Sequence, residues 1–184
     1  MSGALTKHLI DRDLLRTTLE RARAADRKRT NFNFHGDMQE NPHRFLNVML
    51  RDTYITPHRH LNPPKAESFL IIEGSVAFFT FEDDGTIVSC DILTGGLASP
   101  EKSPGDAPIG DAPIGDALGI DISPGYWHTL VVLSEYAICF EVKPGPYQVS
   151  DDKEFAAWAP REGQATGAEI LAYQKYLREH VATL

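Results

Sequence analysis

An all-β core with one helix at each end is the fold class that this sequence predicts, on three observations. Short runs rich in aromatic and β-branched residues recur along most of the chain, separated by Gly, Pro and Asp turn signals, as in an antiparallel sandwich or barrel. Asp84 and Gly85 stand between Phe78-Phe79-Thr80-Phe81 and Thr86-Ile87-Val88, a hairpin signal, because both residues tolerate the positive φ that tight turns require. Helical spacing of apolar residues marks the two ends. With 184 residues, 42% hydrophobic and 24% charged, the chain has material for one substantial core and reads as a single domain.

Taken in order, residues 9–25 carry Ile10, Leu14, Leu15 and Leu19 at helical spacing, so an amphipathic helix packs on the sheet or on a partner. Next, Asn31, Asn33 and His35 alternate with Phe32 and Phe34. Side chains two apart share a strand face, so three polar groups lie on one side and two aromatic anchors on the other. The polar face is either the mouth of a cavity or a half-exposed edge strand. Strand candidates follow at 45–50, 54–60, 68–73 and 75–82, and later near 118–122, 129–133 and 136–142. Between them, 94–117 turns rich in Gly, Pro and Asp and holds two and a half copies of Gly-Asp-Ala-Pro-Ile over 105–117. That is too few to stack a solenoid, so a surface insertion is expected. Residues 151–163 should wrap as an aromatic-anchored loop with Trp158 packing. A second helix over 168–181 carries Ile170, Leu171, Tyr173 and Leu177. The expected division is an N-terminal helix in 1–26, a barrel in 27–163 with 94–117 inserted, and a C-terminal helix in 164–184.

The chemistry concentrates in two strand-and-turn signatures. His58 and His60, two apart, can present both imidazoles to one ion, and Glu67 opens an apolar strand that ends at the turn glycine Gly74. Downstream, Pro124-Gly125-Tyr126-Trp127-His128 brings a third imidazole out of a turn. Three neutral nitrogens and one carboxylate suit one divalent transition metal, Fe, Mn, Ni, Cu or Zn, and leave coordination positions open. No GxSxG elbow, phosphate loop or dinucleotide glycine fingerprint stands in a usable strand-to-helix context.

These signatures resemble those of the cupin superfamily, whose first motif has HxH, a Glu, and a Gly after six intervening residues, and whose second has Gly three before His. Within cupins the chain is most similar to the WbuC-type family. That likeness runs through Arg27-Lys28-Arg29-Thr30-Asn31-Phe32-Asn33-Phe34-His35, Pro57-His58-Arg59-His60, Phe140-Glu141-Val142-Lys143-Pro144-Gly145-Pro146-Tyr147 and Phe155-Ala156-Ala157-Trp158-Ala159-Pro160. It covers roughly 27–163. The chain departs from the pattern in having six residues between His60 and Glu67, where three or four are usual, with Pro63 and Pro64 among them. The intact Glu67-to-Gly74 spacing makes this a lengthened loop rather than a register shift. The resemblance implies a cupin barrel, a double-stranded β-helix of antiparallel jelly-roll type, and a metalloprotein often associated with bacterial surface-polysaccharide gene clusters. The family's reaction is not settled.

The functional expectation is a metalloprotein acting on a small hydroxylated substrate, by isomerisation, epimerisation or a related rearrangement. The sugar-like character of that substrate and the polysaccharide context come from the resemblance alone. An iron-dependent oxygenase and a noncatalytic small-ligand binder stay open beside it. Asn31, Asn33 and His35 are candidate substrate contacts, and Arg59 and Lys143 could meet anionic groups if the fold turns them inward. A net charge of −8 argues against binding nucleic acid through its phosphates, and the basic stretch 21–29 reads as a solvated helix end. No window approaches a transmembrane span. Residues 1–16 are interrupted by Lys7, Asp11, Arg12 and Asp13, unlike a secretory signal. Cys90 and Cys139 are isolated in apolar runs, which together with the absent signal points to the cytoplasm. A small-molecule substrate is the expected partner, and a homodimer is one assembly the N-terminal helix permits.

Overall fold

The computed structural model describes residues 7–95, 115, 117–147 and 153–184. The repeat over 105–117 therefore lies outside the described residues except at Gly115 and Ala117. Helix α1 (Arg12–Ala24) starts where the Asp11 carboxylate accepts the Leu14 N–H at 2.9 Å, satisfying one of the donors a helix start leaves open. Among the described residues ten strands follow: β1 (Arg29–Asn33), β2 (His43–Leu50), β3 (His58–Arg59), β4 (Glu67–Glu73), β5 (Ser75–Phe81), β6 (Ile87–Thr94), β7 (Gly119–Ile122), β8 (Trp127–Val132), β9 (Tyr136–Lys143) and β10 (Glu154–Phe155). Helix α2 (Gly167–Val181) closes the chain behind a capping box in which Thr166 and Glu169 satisfy each other's backbone N–H.

The strands form two five-stranded sheets, ordered β1-β2-β9-β4-β7 and β10-β3-β8-β5-β6, with every pairing between named strands antiparallel. Between the sheets lies one apolar core, in which Met49, Phe69, Ile71 and Cys139 meet Val76, Phe78, Leu130 and Val132. The outer faces are covered too. Leu15, Leu19 and Ala22 of α1 pack on Leu46, Val48 and Ile138 of the first sheet, and Leu177 and Val181 of α2 on Ala77, Phe79 and Val131 of the second. Consequently β5 is buried at every position, alternate residues facing the core and the helix.

Two sequence expectations change here. The strand expected across 54–60 is reduced to His58–Arg59, because side chains take the preceding carbonyls that a neighbouring strand would otherwise hold. Gln174 donates to Thr53 O at 2.8 Å, Arg29 to Tyr54 O at 2.8 Å and Thr129 to Ile55 O at 2.6 Å. On α2, Leu171 is 67% exposed while Gln174, Leu177 and Val181 form the buried stripe. The hairpin turn stands as expected: Gly85 has φ +90°, and a Cβ there would lie 2.7 Å from the Trp158 ring, so both the turn and the packing require glycine. Trp158 itself packs on Phe81 and Trp127.

Candidate metal centre

His58 on β3 lies directly across from His128 on β8, and Glu67 begins β4 on the opposite sheet. His60, just past β3, is held by its carbonyl, which accepts the Gly125 N–H at 3.1 Å. That bond ties the two motif turns together. One ligand atom from each of His58, His60, Glu67 and His128 lies within 4.8 Å of the others, and all four residues are buried. His60 Nε2 is 3.1 Å from Glu67 Oε1 and His128 Nε2 is 3.0 Å from Glu67 Oε2. The six-residue spacer is absorbed in a loop bridged between Leu61 and Pro64, so Glu67 reaches the centre despite it.

The hydrogen bonds around the cluster set its chemistry. His58 Nδ1 lies 3.0 Å from Thr56 O and His128 Nδ1 lies 2.9 Å from Tyr126 O. A carbonyl oxygen only accepts, so each Nδ1 carries the proton and each Nε2 presents a lone pair. His128 Nε2 and Glu67 Oε2 are buried without a hydrogen bond of acceptable geometry. Two buried acceptors 3.0 Å apart repel unless a cation lies between them, and carbonyl-oriented imidazoles are the usual support of a metal site. The donor set therefore fits a divalent transition ion. Burial keeps His58 neutral far below the ordinary imidazole value, with Lys153 and His128 acting in the same direction. The Lys143 ammonium, 3.5 Å from Glu67 Oε1, favours the ionised carboxylate that metal ligation requires.

Residues 10–93 match the family described as a domain of unknown function, DUF6016. No curated protein matches the sequence. Among solved structures, the capsular polysaccharide assembling protein CapF from Staphylococcus aureus aligns with a TM-score of 0.51 at 16% identity, over 71% of this chain and 32% of its own. The chain thus spans about a third of CapF. TT1209 from Thermus thermophilus gives 0.46 at 16% identity, covering 74% of this chain and 97% of its own. A Klebsiella pneumoniae protein with a double-stranded β-helix domain gives 0.45 at 11% identity, covering 72% and 87%. Two facing antiparallel sheets with this strand order and the CapF likeness agree on the architecture. The fold is a cupin.

In this fold two spaces border the cluster. A chamber of about 40 Å³ is lined by His58, Glu67, His128 and Glu141 above a floor of Phe69, Phe78 and Leu130. Asn47, Ile55, His58, Glu141 and Lys153 also line an outer cavity of about 700 Å³, so the two spaces share these walls. Asn31, Asn33 and His35 all line that outer cavity, while Phe32 and Phe34 pack under α1 as the alternation requires. Lys143 is buried, with Nζ 3.5 Å from Glu67 Oε1 and 3.8 Å from Glu141 Oε1.

Arg59 lies elsewhere, which corrects its reading as an inward contact. Standing between two inward histidines, it must face the other side of the strand, where it binds Glu154 at 2.9 Å and Asp83 at 3.0 Å and lies 4.3 Å over the Trp127 ring. Tyr54 and Glu73, two further residues able to accept a proton, are engaged outside the cavity, Tyr54 donating to Pro160 O and Glu73 accepting from Tyr136. Burial raises the thiols of Cys90 and Cys139, which makes both poor nucleophiles.

Several wall residues escaped the sequence reading, chiefly Asn47, Glu141, Lys153 and Arg161. The signal for the first two was present in period-two alternation: His43, Phe45 and Asn47 on β2, and Glu141 and Lys143 on β9, share one inward face. Glu141 accepts from Asn47 Nδ2 at 3.2 Å. Burial, reinforced by the charge of Glu67, pushes its carboxyl up to about 7.

Proposed function

We propose that this protein is a metal-dependent cupin that binds a small, hydroxylated, sugar-like molecule and isomerises or epimerises it. The observation that carries this reading is the convergence of three imidazoles and one carboxylate, of which His58 also lines a polar cavity. A bound divalent ion would be held by His58, His60, Glu67 and His128 and would supply a Lewis acid to polarise a carbonyl or hydroxyl group. The remaining chemistry falls to the chain. Moving a hydrogen on a sugar-like carbon needs a group that takes and returns a proton near neutral pH, and Glu141, raised to about 7 in the wall that both spaces share, has that capacity. Lys143 balances charge between Glu141 and Glu67, and the Phe69, Phe78 and Leu130 floor limits water. The polysaccharide context rests on the WbuC-type sequence resemblance. CapF carries that context in its own name, and the likeness to it extends to the fold.

The test is protein purified without chelators, assayed for metal content and for turnover of a panel of nucleotide sugars. About one ion per chain and turnover of at least one substrate are expected. His60→Ala should lose metal and turnover together, with metal affinity falling by more than the roughly hundredfold that a supporting hydrogen bond contributes. Asn33→Ala should keep its metal and weaken substrate binding. Protein that holds none of Fe, Mn, Ni, Cu or Zn, yet binds its small molecule normally, overturns the metal reading. Oxygen consumption in place of rearrangement replaces the isomerase with an oxygenase.

A further inference from the structure

Phe155 is a large apolar side chain that the fold leaves 36% exposed, and it lines the outer cavity. Its direction follows from register. In the β10–β3 pair Glu154 stands across from Arg59 and Phe155 across from His58, and Arg59 binds Glu154 on the side of the strand away from the cluster. Directly opposed residues share a face, so Phe155 turns inward with His58, and the two ring centroids lie 6.2 Å apart. The Arg161 guanidinium lies over one face of the Phe155 ring, 4.5 Å from its centroid, and braces the ring at the wall.

The other sheet supplies a different surface. Asn31 and Asn33 line the same cavity from β1, and both are exposed. A carboxamide both donates and accepts, so these two side chains can pair with hydroxyl groups in either sense. An aromatic ring, by contrast, attracts C–H groups through its negative face and by apolar burial. The cavity therefore offers an apolar platform beside a metal ligand and neutral hydrogen-bonding groups on the facing sheet. Among small hydroxylated molecules a closed sugar ring matches both surfaces, because its C–H groups gather on one face and its hydroxyls project from the rim. An open-chain polyol has no fixed apolar face and loses more conformational freedom on binding.

We propose that Phe155 is a stacking platform that selects the cyclic form of the substrate, a pyranose-type ring laid on the Phe155 side chain with its hydroxyls toward Asn31 and Asn33. This rests on the reading of the cavity as the site of a sugar-like molecule and narrows that molecule to closed rings. Phe155 is then a specificity residue beside the metal ligand His58 and takes no part in holding the ion.

Isothermal titration of the zinc-loaded full-length protein compares the methyl pyranosides of glucose, galactose and mannose, whose rings cannot open, with the alditols sorbitol, galactitol and mannitol. At least one pyranoside should bind about tenfold tighter than its alditol, the scale of one favourable aromatic contact. Phe155→Leu, which keeps apolar bulk and removes the flat ring, should lose most of that preference while metal content stays unchanged, and Phe155→Tyr should keep it. Should Phe155→Leu fail to fold, saturation-transfer NMR on the wild-type protein decides the same point: saturation of its aromatic protons should reach the ring C–H protons of the bound pyranoside, and no transfer overturns the platform. Equal binding of pyranosides and alditols, or an undiminished preference in Phe155→Leu, also overturns it and leaves a hydroxylated ligand in the cavity. Failure of every compound to bind overturns the platform together with the sugar-like reading beneath it.

Discussion

Glu141 is a buried residue whose charge state the fold holds away from the ordinary in a testable way. Its carboxyl, 4.5 in an ordinary glutamate, is raised to about 7 by burial and by Glu67, against the pull of Lys143. A folded value above the unfolded one means that the protonated form is favoured by folding. The resulting stability is fully present below about pH 4.5 and is lost as pH rises through about 7. Glu141→Gln fixes the neutral shape. In metal-free protein the variant should match wild type near pH 4.5 and exceed it near pH 8, by an amount on the order of 3 kcal/mol. His58, whose value burial depresses, contributes in the opposite sense, its stability being lost as pH falls below the ordinary imidazole value of 6.5. That contribution is common to both proteins, so the difference between their melting curves reports on Glu141. Parallel wild-type and variant curves across this range would remove Glu141 from its proton-handling role.

At the scale of elements, the site is built by short strands whose ends are set by turns and side-chain bonds. β3 is two residues long, yet it positions His58 because it is paired on both edges, with β8 and with β10. The β5–β6 hairpin supports the site from behind, since Phe78 of β5 stacks on the His128 ring at 5.6 Å. Its turn depends on Gly85, where the positive φ and the Trp158 ring leave no room for a side chain. Gly85→Ala should therefore destabilise the protein by about 1–3 kcal/mol, the usual cost of a strained left-handed residue, and lower its melting temperature by several degrees. A melting temperature equal to wild type would show that the turn relaxes without loss. Gly74 has the same role at the end of β4: a Cβ there would approach Tyr136 O to 2.2 Å, which accounts for the intact Glu67-to-Gly74 spacing.

For the molecule as a whole, the cluster joins the two sheets, three ligands coming from the strands and turns of one and Glu67 from the other. A bound ion would cross-link them, and binding to the folded state alone stabilises it by mass action. At a metal concentration of about a hundred times Kd the gain is about 2.7 kcal/mol, or about 5–10 °C for a chain of this size. Thermal melts with and without metal should differ by that amount, chelator should abolish the difference, and His60→Ala should show none. Identical melts with stoichiometric metal bound would mean that the ion does not link the sheets. Much of this design is local and so was legible in the amino-acid order. Period-two alternation marked His58 and His60 as one face, Gly74 and Gly125 marked the turns beside the remaining ligands, and helical spacing marked the two ends. The same alternation, had it been applied to Arg59, would have set it on the opposite face instead of among the inward candidates. Tertiary structure alone decided which strands are neighbours. Alternation says which side a residue faces, but pairing β9 between β2 and β4 is what brings Glu141, Asn47 and Lys143 to Glu67, and tertiary structure is what adds Lys153 and Arg161 to the cavity wall. Those contacts join residues far apart in the chain, and their energy exists only once both sheets have closed on one core.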